Sequence, residues 1–326
     1  MLGKMRFVVL AFLTIQACVG FEVDTGDPRV GEEGRVRFGG GGCAAGSSTT
    51  IAVGSTQTLT LEPQSGASLP TDLTTGSTAP AVIDARPGAA ADQVVLEANQ
   101  AGTAQVELHS AGEIWDYLEF RAEPAASVKF TAAPAVFAGA TAFVKVDEVY
   151  GACGESCPLL GEGFLRWSST GLTPLRDTNG VAYFTAGAPG DARAQGREPS
   201  GGALLVDHPL RIVPVADAGA LSARVTIALP DESVLDPQPL PVEIPVGSLF
   251  LIQVEVDVAG TPVPLAGPDV TWTIEGDTSA VALHDSGDAD PPEGPIFSTL
   301  APGSVEMVAE IPLLGRTERF PLTITP

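Results

Sequence analysis

The sequence predicts an all-β protein built as three successive copies of one β-domain, and three observations predict it. Glycine and proline, 37 and 28 of 326 residues, punctuate the chain at short intervals, and no stretch sustains an apolar period of 3.6 residues. Ile252, Val254, Val256 and Val258 alternate with Gln253, Glu255 and Asp257, the period of two of a strand with one face in a core and one in water. The frame of that stretch, 245–258, recurs upstream, closely at 52–61 (A-V-G-S-T-Q-T-L-T-L) and more loosely at 137–146 (F-A-G-A-T-A-F-V-K-V). Three domains of roughly 100 residues each are large enough to bury a core without a metal or dense disulfides.

Residues 1–17 carry the parts of an export signal: Lys4 and Arg6, an apolar run from Phe7 to Ile15, and small residues before a cysteine. The run is far shorter than the roughly 20 residues a permanent bilayer span needs. Ile15-Gln16-Ala17-Cys18 resembles the lipobox of bacterial lipoproteins, which implies a cleaved signal peptide and a lipid on Cys18. Gln16 fits that pattern less well than its neighbours, and secretion with ordinary cleavage nearby is the alternative. Val19, rather than an aspartate, follows the cysteine and favours the outer membrane, with surface-exposed and periplasm-facing placements both open.

The polar, acidic and turn-rich stretch 18–33 is expected to be a flexible tether. The first repeat, 34–124, opens on the alternating strand Arg35-Val36-Arg37-Phe38. The four glycines at 39–42 lead into Cys43-Ala44-Ala45 and not into a helix with Lys-Ser or Lys-Thr, so they read as a turn and not as a phosphate cradle. Strands around Val53, Leu73, Val82 and Val106 follow, and Tyr117-Leu118-Glu119-Phe120 closes the repeat.

The second repeat, 125–214, begins at Ser127-Val128-Lys129-Phe130. It carries Trp167-Ser168-Ser169 where the first has Leu73, and turns at Ala188-Pro189-Gly190 into its last two strands. The third repeat, 215–326, opens at 223–227, crosses a proline-rich stretch at 237–245 and reaches the strand at 252–258. Trp272 lies nine residues before Val281, as Leu73 lies nine before Val82. From Ala-Pro-Gly to the closing Pro-Leu is 21 residues in the second repeat and 20 in the third. The chain is expected to end on the last strand of this repeat, with no catalytic or lectin tail.

With Cys18 lipidated, Cys43, Cys153 and Cys157 remain, an odd number in an oxidising compartment. Cys153 and Cys157 are the expected disulfide, on a loop inserted between the strands at Val144 and Trp167. Closing so small a ring contributes roughly 2 kcal/mol, a staple for one hairpin and not for the fold. Zinc would need two further ligands, and His109, His208 and His284 are all distant in sequence. A redox dithiol has two intervening residues where this loop has Gly154, Glu155 and Ser156.

The ordered landmarks resemble the bacterial immunoglobulin-like domains strung together in intimins and invasins. They are the Val-Gly-Ser opening, a Trp followed by small polar residues, a Val-centred strand nine residues later and an Ala-Gly-Thr-Ala-Gln-Val type strand. The resemblance covers about 34–326 and implies tandem immunoglobulin-like β-sandwich domains used as spacers, adhesin segments or accessory modules. It implies too that the tryptophans are inter-sheet core and not carbohydrate platforms. The chain departs from a complete adhesin of that kind in lacking an outer-membrane barrel and an adhesive end domain.

A formal charge of −23 repels nucleic acid phosphates and anionic headgroups, so no nucleic acid partner is expected. Scattered histidines and the absence of nucleophile-turn and H-E-x-x-H motifs argue against an enzyme. No cofactor is expected. The one acidic cluster with calcium-like character is Asp285, Asp288, Asp290 and Glu293, in a turn-rich loop whose spacing departs from that of helix-loop-helix calcium sites and which reads first as solvated. The function these observations favour is a non-enzymatic, lipid-anchored envelope protein serving as surface spacer, adhesion or protein-binding module. A periplasm-facing subunit of an envelope complex and a carbohydrate-binding or accessory module are the alternatives. The partners expected are the membrane, through Cys18, and a protein or glycan that the sequence does not specify.

Overall fold

The computed structural model describes residues 29–39, 49–64, 68–178, 180–199, 202–231, 233–284 and 292–326. Strand accounts for nearly all of the regular structure, in six sheets that pair into three sandwiches. The chain divides into two compact units, with the first two sandwiches in residues 18–213 and the third in 214–326.

The first sandwich is built from β1 (Val36–Gly39), β2 (Thr50–Ala52), β3 (Thr56–Pro63), β4 (Thr74–Ser77), β5 (Ile83–Pro87), β6 (Gln93–Ala98), β7 (Gly102–Ser110) and β8 (Glu113–Glu123). One sheet runs β1-β3-β6-β5 and the other β2-β8-β7-β4, with β2 parallel to β8 and its other pairs antiparallel. The second sandwich comprises β9 (Ser127–Ala132), β10 (Ala135–Phe137), β11 (Thr141–Tyr150), β12 (Arg166–Thr170), β13 (Leu172–Thr178), β14 (Val181–Ala186), β15 (Gly190–Arg197) and β16 (Leu204–Val213). Its orders are β9-β11-β14-β13 and β10-β16-β15-β12, the same pattern with the same parallel pair.

The third unit adds two strands to that plan. It holds β17 (Leu221–Ala228), β18 (Val234–Pro239), β19 (Val242–Pro245), β20 (Leu249–Val258), β21 (Thr261–Pro264), β22 (Thr271–Gly276), β23 (Val281–Leu283), β24 (Ile296–Thr299), β25 (Gly303–Ile311) and β26 (Arg316–Thr325). Its sheets are β18-β17-β20-β24-β23, with β21 on β20, and β19-β26-β25-β22, with β19 parallel to β26. Two face-to-face sheets with these orders make all three immunoglobulin-like. The proline-rich stretch that the sequence presents as a crossing contains β18, an edge strand that pairs only with β17 and whose register shifts around Pro237, the kind of position where prolines are tolerated in a sheet.

The recurring Val-Gly-Ser frame has a local cause. Gly54, Gly139 and Gly247 take φ of 84°, 82° and 83°. Each is the third residue of a turn closed by an amide bond to the carbonyl three residues back, from Ser55 to Ala52 (3.1 Å), Ala140 to Phe137 (3.0 Å) and Ser248 to Pro245 (3.3 Å). That is the type II position that requires positive φ and therefore selects glycine. The turn reverses the chain from the short parallel strand into the long strand of the opposite sheet. The β7 to β8 hairpin uses Ala111 and Gly112, with φ of 53° and 83°, the two-residue turn whose twist matches its strands.

Cores fill the space between sheets as the alternation predicts. In β20 Ile252, Val254 and Val256 are buried, while Gln253, Glu255 and Asp257 are partly exposed. Phe38 meets Phe120 edge-on at 5.9 Å in the first sandwich, and Phe250 stacks on Phe297 at 5.3 Å in the third.

The tryptophans are half-buried: Trp167 stands edge-on to Phe184 of the opposite sheet at 6.1 Å, and Trp272 lies 6.4 Å from Phe297 of the opposite sheet and 6.1 Å from Phe320 of its own. The equivalence of Leu73 with them is corrected by the register. Trp167 faces Gly196 and Trp272 faces Ala309, each the seventh residue of its strand, and the seventh residue of β7, Leu108, faces Thr75. The large side chain has changed strands. A Cβ on Gly196 would come within 3.2 Å of the Trp167 ring, so the small residue makes room for the indole, whereas in the first sandwich Leu108 supplies the volume and Thr75 yields it.

Candidate functional site

The most specifically built feature outside the cores is the joint between the first two sandwiches. It is made by the loop that joins β11 to β12. β11 ends at Tyr150, and Tyr150 pairs with Pro158 in an antiparallel bridge, so 150–158 is a small hairpin. Its tip is a 3-10 turn over Gly154–Ser156, held by hydrogen bonds from the Gly151 amide to the Cys157 carbonyl (2.9 Å) and from the Cys157 amide to that of Gly154 (2.8 Å). The Cys153–Cys157 disulfide closes it, with the two Cα atoms 5.5 Å apart. Lys129 anchors the tip by bonding Glu155 at 3.1 Å and Glu148 at 3.2 Å, and its ammonium lies 5.2 Å from the Tyr150 ring centre. Those two carboxylates, Glu155 first, hold the Lys129 ammonium above its usual range.

Beyond the tip the chain leaves its own sandwich. Leu159 still bonds β11, through its amide to the Val149 carbonyl at 2.9 Å. Leu160 bonds β2 of the first sandwich instead. Its amide donates to the Thr50 carbonyl and its carbonyl accepts from the Ala52 amide, both at 2.8 Å, and Glu162 exchanges two further bonds with Thr56 at 3.0 Å each. The segment thus extends the β2-β8-β7-β4 sheet past β2 and covers that edge. The Leu160 side chain is 1% exposed and belongs to the first sandwich's core, with Ile51, Val53 and Leu59.

Glycines permit this approach. Gly161 has φ of +107°, and a Cβ on it would strike the buried Ser55 hydroxyl, which itself donates to the Ala52 carbonyl at 2.6 Å. A Cβ on Gly54 would meet Pro199, from the β15 to β16 connection, at 2.7 Å. The Val53 amide donates to the Glu123 carbonyl, and the Ala126 amide to that of Tyr150, which ties the linker residues on both sides of Pro124 into the joint.

A second fastening lies at the other end of the first sandwich. Asp116 on β8 is fully buried and accepts four backbone N–H groups, from Glu33 (3.0 Å), Arg35 (2.9 Å), Val36 (3.0 Å) and Tyr117 (2.8 Å). Val30 bridges Arg37, so 29–39 is a hairpin pinned to β8 by one carboxylate. Asp116 shares its inward parity with Leu118, Phe120 and Ala122, and an acid on the core side of a strand is a signal that could have marked it. Leu160 had a weaker signal, the pair Leu159-Leu160 in an otherwise polar loop.

The structure does not bring the histidines together. His109 lies 3.1 Å from Glu107, His208 contacts the Ala133 carbonyl at 2.9 Å and His284 pairs with Ser298 at 3.0 Å, each in its own sandwich. Glu293 is buried in the third sandwich, 5% exposed; Asp285, Asp288 and Asp290 lie outside the described residues, as do Cys18 and Cys43. No helix among the described residues is long and apolar enough to cross a membrane.

No protein-family model matches the chain, and no curated protein matches it. Among solved structures it is similar to the Escherichia coli adhesin FdeC, at 17% identity over 85% of this chain and 94% of that one, with a TM-score of 0.25. It is similar to domains 4–9 of the surface layer protein SbsC, at 17% identity over 82% of this chain and 42% of that one, with a TM-score of 0.31. Invasin, a bacterial integrin-binding protein, matches at 15% identity over 85% of this chain and 57% of its own, with a TM-score of 0.25. The chain therefore spans about half of the latter two. Overlaps at these TM-scores carry no weight for function, and the immunoglobulin-like assignment rests on the strand orders and the parallel pair repeated in each sandwich.

Proposed function

We propose that this is a non-enzymatic cell-envelope protein, held by a lipid on Cys18, whose sandwiches serve as a surface spacer and as a module for adhesion or protein binding. The observation that supports this most is the joint. A spacer transmits position only if consecutive modules resist bending, and the first two sandwiches are tied by four backbone hydrogen bonds and a shared core residue. The hairpin pinned by Asp116 fits the same reading, because it fastens to the first sandwich the chain that leads from Cys18.

Protease shaving of intact cells, scored by mass spectrometry for peptides from 125–326, tests the placement. Peptides released from unbroken cells are expected. Protection until the outer membrane is broken would overturn the surface role and turn the chain toward a periplasmic complex. Substituting Cys18→Ser is expected to abolish membrane association, and unchanged association would remove the lipid.

A further inference from the structure

The connection from β11 to β12 in the second sandwich and that from β20 to β22 in the third occupy the same topological place, and they are used differently. In the third, Val263, Leu265 and Ala266 fold back and are buried in their own unit, with the Leu265 amide on the Val254 carbonyl at 2.9 Å. In the second, Leu160 is delivered into the core of the neighbour, and the loop that delivers it carries the one disulfide among the described residues. Cys153 is solvent-exposed, so a dithiol can reach the bridge, whereas Leu160 at the working end is sealed.

We propose that residues 151–162 are a latch between the first two sandwiches, and that the Cys153–Cys157 bridge keeps it closed. The hairpin tip and the inserted strand are one short run of chain. Pro158 and Leu159 are registered on β11 directly after the bridge, and Leu160 enters the neighbour directly after them. Reduction by a dithiol transfers two electrons and two protons to the bridge, leaving two cysteine thiols and the reductant as its own disulfide. The tip then keeps only its backbone bonds and the Lys129–Glu155 pair, an exposed contact that holds weakly in water. The register of 158–160 loosens, Leu160 withdraws, and the β2 edge opens to solvent. The joint is thus stiff in an oxidising compartment and hinged in a reducing one.

Hydrogen exchange on the purified full chain tests this, comparing the oxidised protein, the protein in dithiothreitol, and a Cys153→Ser, Cys157→Ser double variant. With the bridge cut, exchange in 50–56 and 158–162 is expected to rise together by about tenfold or more, with 221–325 unchanged and protection restored on reoxidation. A Leu160→Ala variant, its bridge intact, is expected to expose the same two segments. Exchange in 50–56 unchanged by reduction, or unchanged in Leu160→Ala, would overturn the latch. The latch and the surface role fail separately, since exchange is read on purified protein and shaving on cells.

Discussion

Replacing Asp116 by alanine is expected to release the N-terminal hairpin from the first sandwich. Of the four amides its carboxylate accepts, Val36 lies at a residue with no exposed surface, and its donor would stay unpaired at a cost of about 1–3 kcal/mol. Glu33, Arg35 and Tyr117 sit at partly accessible places, where water replaces the carboxylate and the net loss is about 0.5–1 kcal/mol each. The total is about 2.5–6 kcal/mol, a large share of one domain's stability. Each sandwich holds one of the three tryptophans, so a background with Trp167→Phe and Trp272→Phe leaves Trp115, packed against the first core, as sole reporter. With a urea slope of about 2 kcal/mol per molar, the midpoint should fall by about 1.2–3 M. Asp116→Asn keeps one acceptor oxygen and turns an amide NH2 toward the other pair of donors, so it should not restore the midpoint. Gly31→Ala should shift it in the same direction, because its Cβ would collide with the carboxylate. A shift below about 0.3 M in Asp116→Ala would refute the pinning.

Gly247→Ala should destabilise the third sandwich by about 1–2 kcal/mol through its positive φ, and Gly247→Asn by less, since asparagine tolerates that region; urea unfolding followed by Trp272 fluorescence checks both, and equal costs would point to packing instead. Local desolvation of the carboxyl raises Asp177 against the opposing hydrogen bond from Trp167, although the residue as a whole is exposed on β13. Its contribution is therefore small, is fully present below the unfolded-state value of 3.8 and is lost as pH rises through the raised one. Asp177→Asn should therefore raise the melting temperature of the second sandwich at pH 7, with the gain fading below about pH 4, and a gain independent of pH would refute the cause.

The elements that were legible were those whose signal is local. The alternation of Ile252, Val254 and Val256 follows from the pleat, and the glycines at 54, 139 and 247 follow from a turn that admits little else. What was not legible depended on partners far away in sequence. Leu73 and Trp167 look equivalent by spacing, but equivalence is decided by the facing residue, and a leucine at 108 against a glycine at 196 moves the bulk from one strand to the next. The edge strand β18 hid among prolines because proline forbids only central pairing. Leu160 hid because nothing in its neighbourhood states which core receives it.

That last case bears on how such chains acquire stiffness. The three sandwiches share the eight-strand plan of the first, so that plan cannot be what ties the first two together. The connections that differ are β3 to β4, β11 to β12 and β20 to β22. In the first sandwich Leu69 and Leu73 pack against their own core, and in the third Val263 and Leu265 do, whereas in the second the apolar residue is exported. A hydrophobic contact alone would allow the two bodies to slide, because it is non-directional. Backbone pairing fixes register as well, and here it is supplied by the same residues, Leu160 to Thr50 and Ala52, Glu162 to Thr56. Bending at this joint must break those bonds together while drawing a leucine into water, so a loop of a dozen residues converts two sandwiches into one lever.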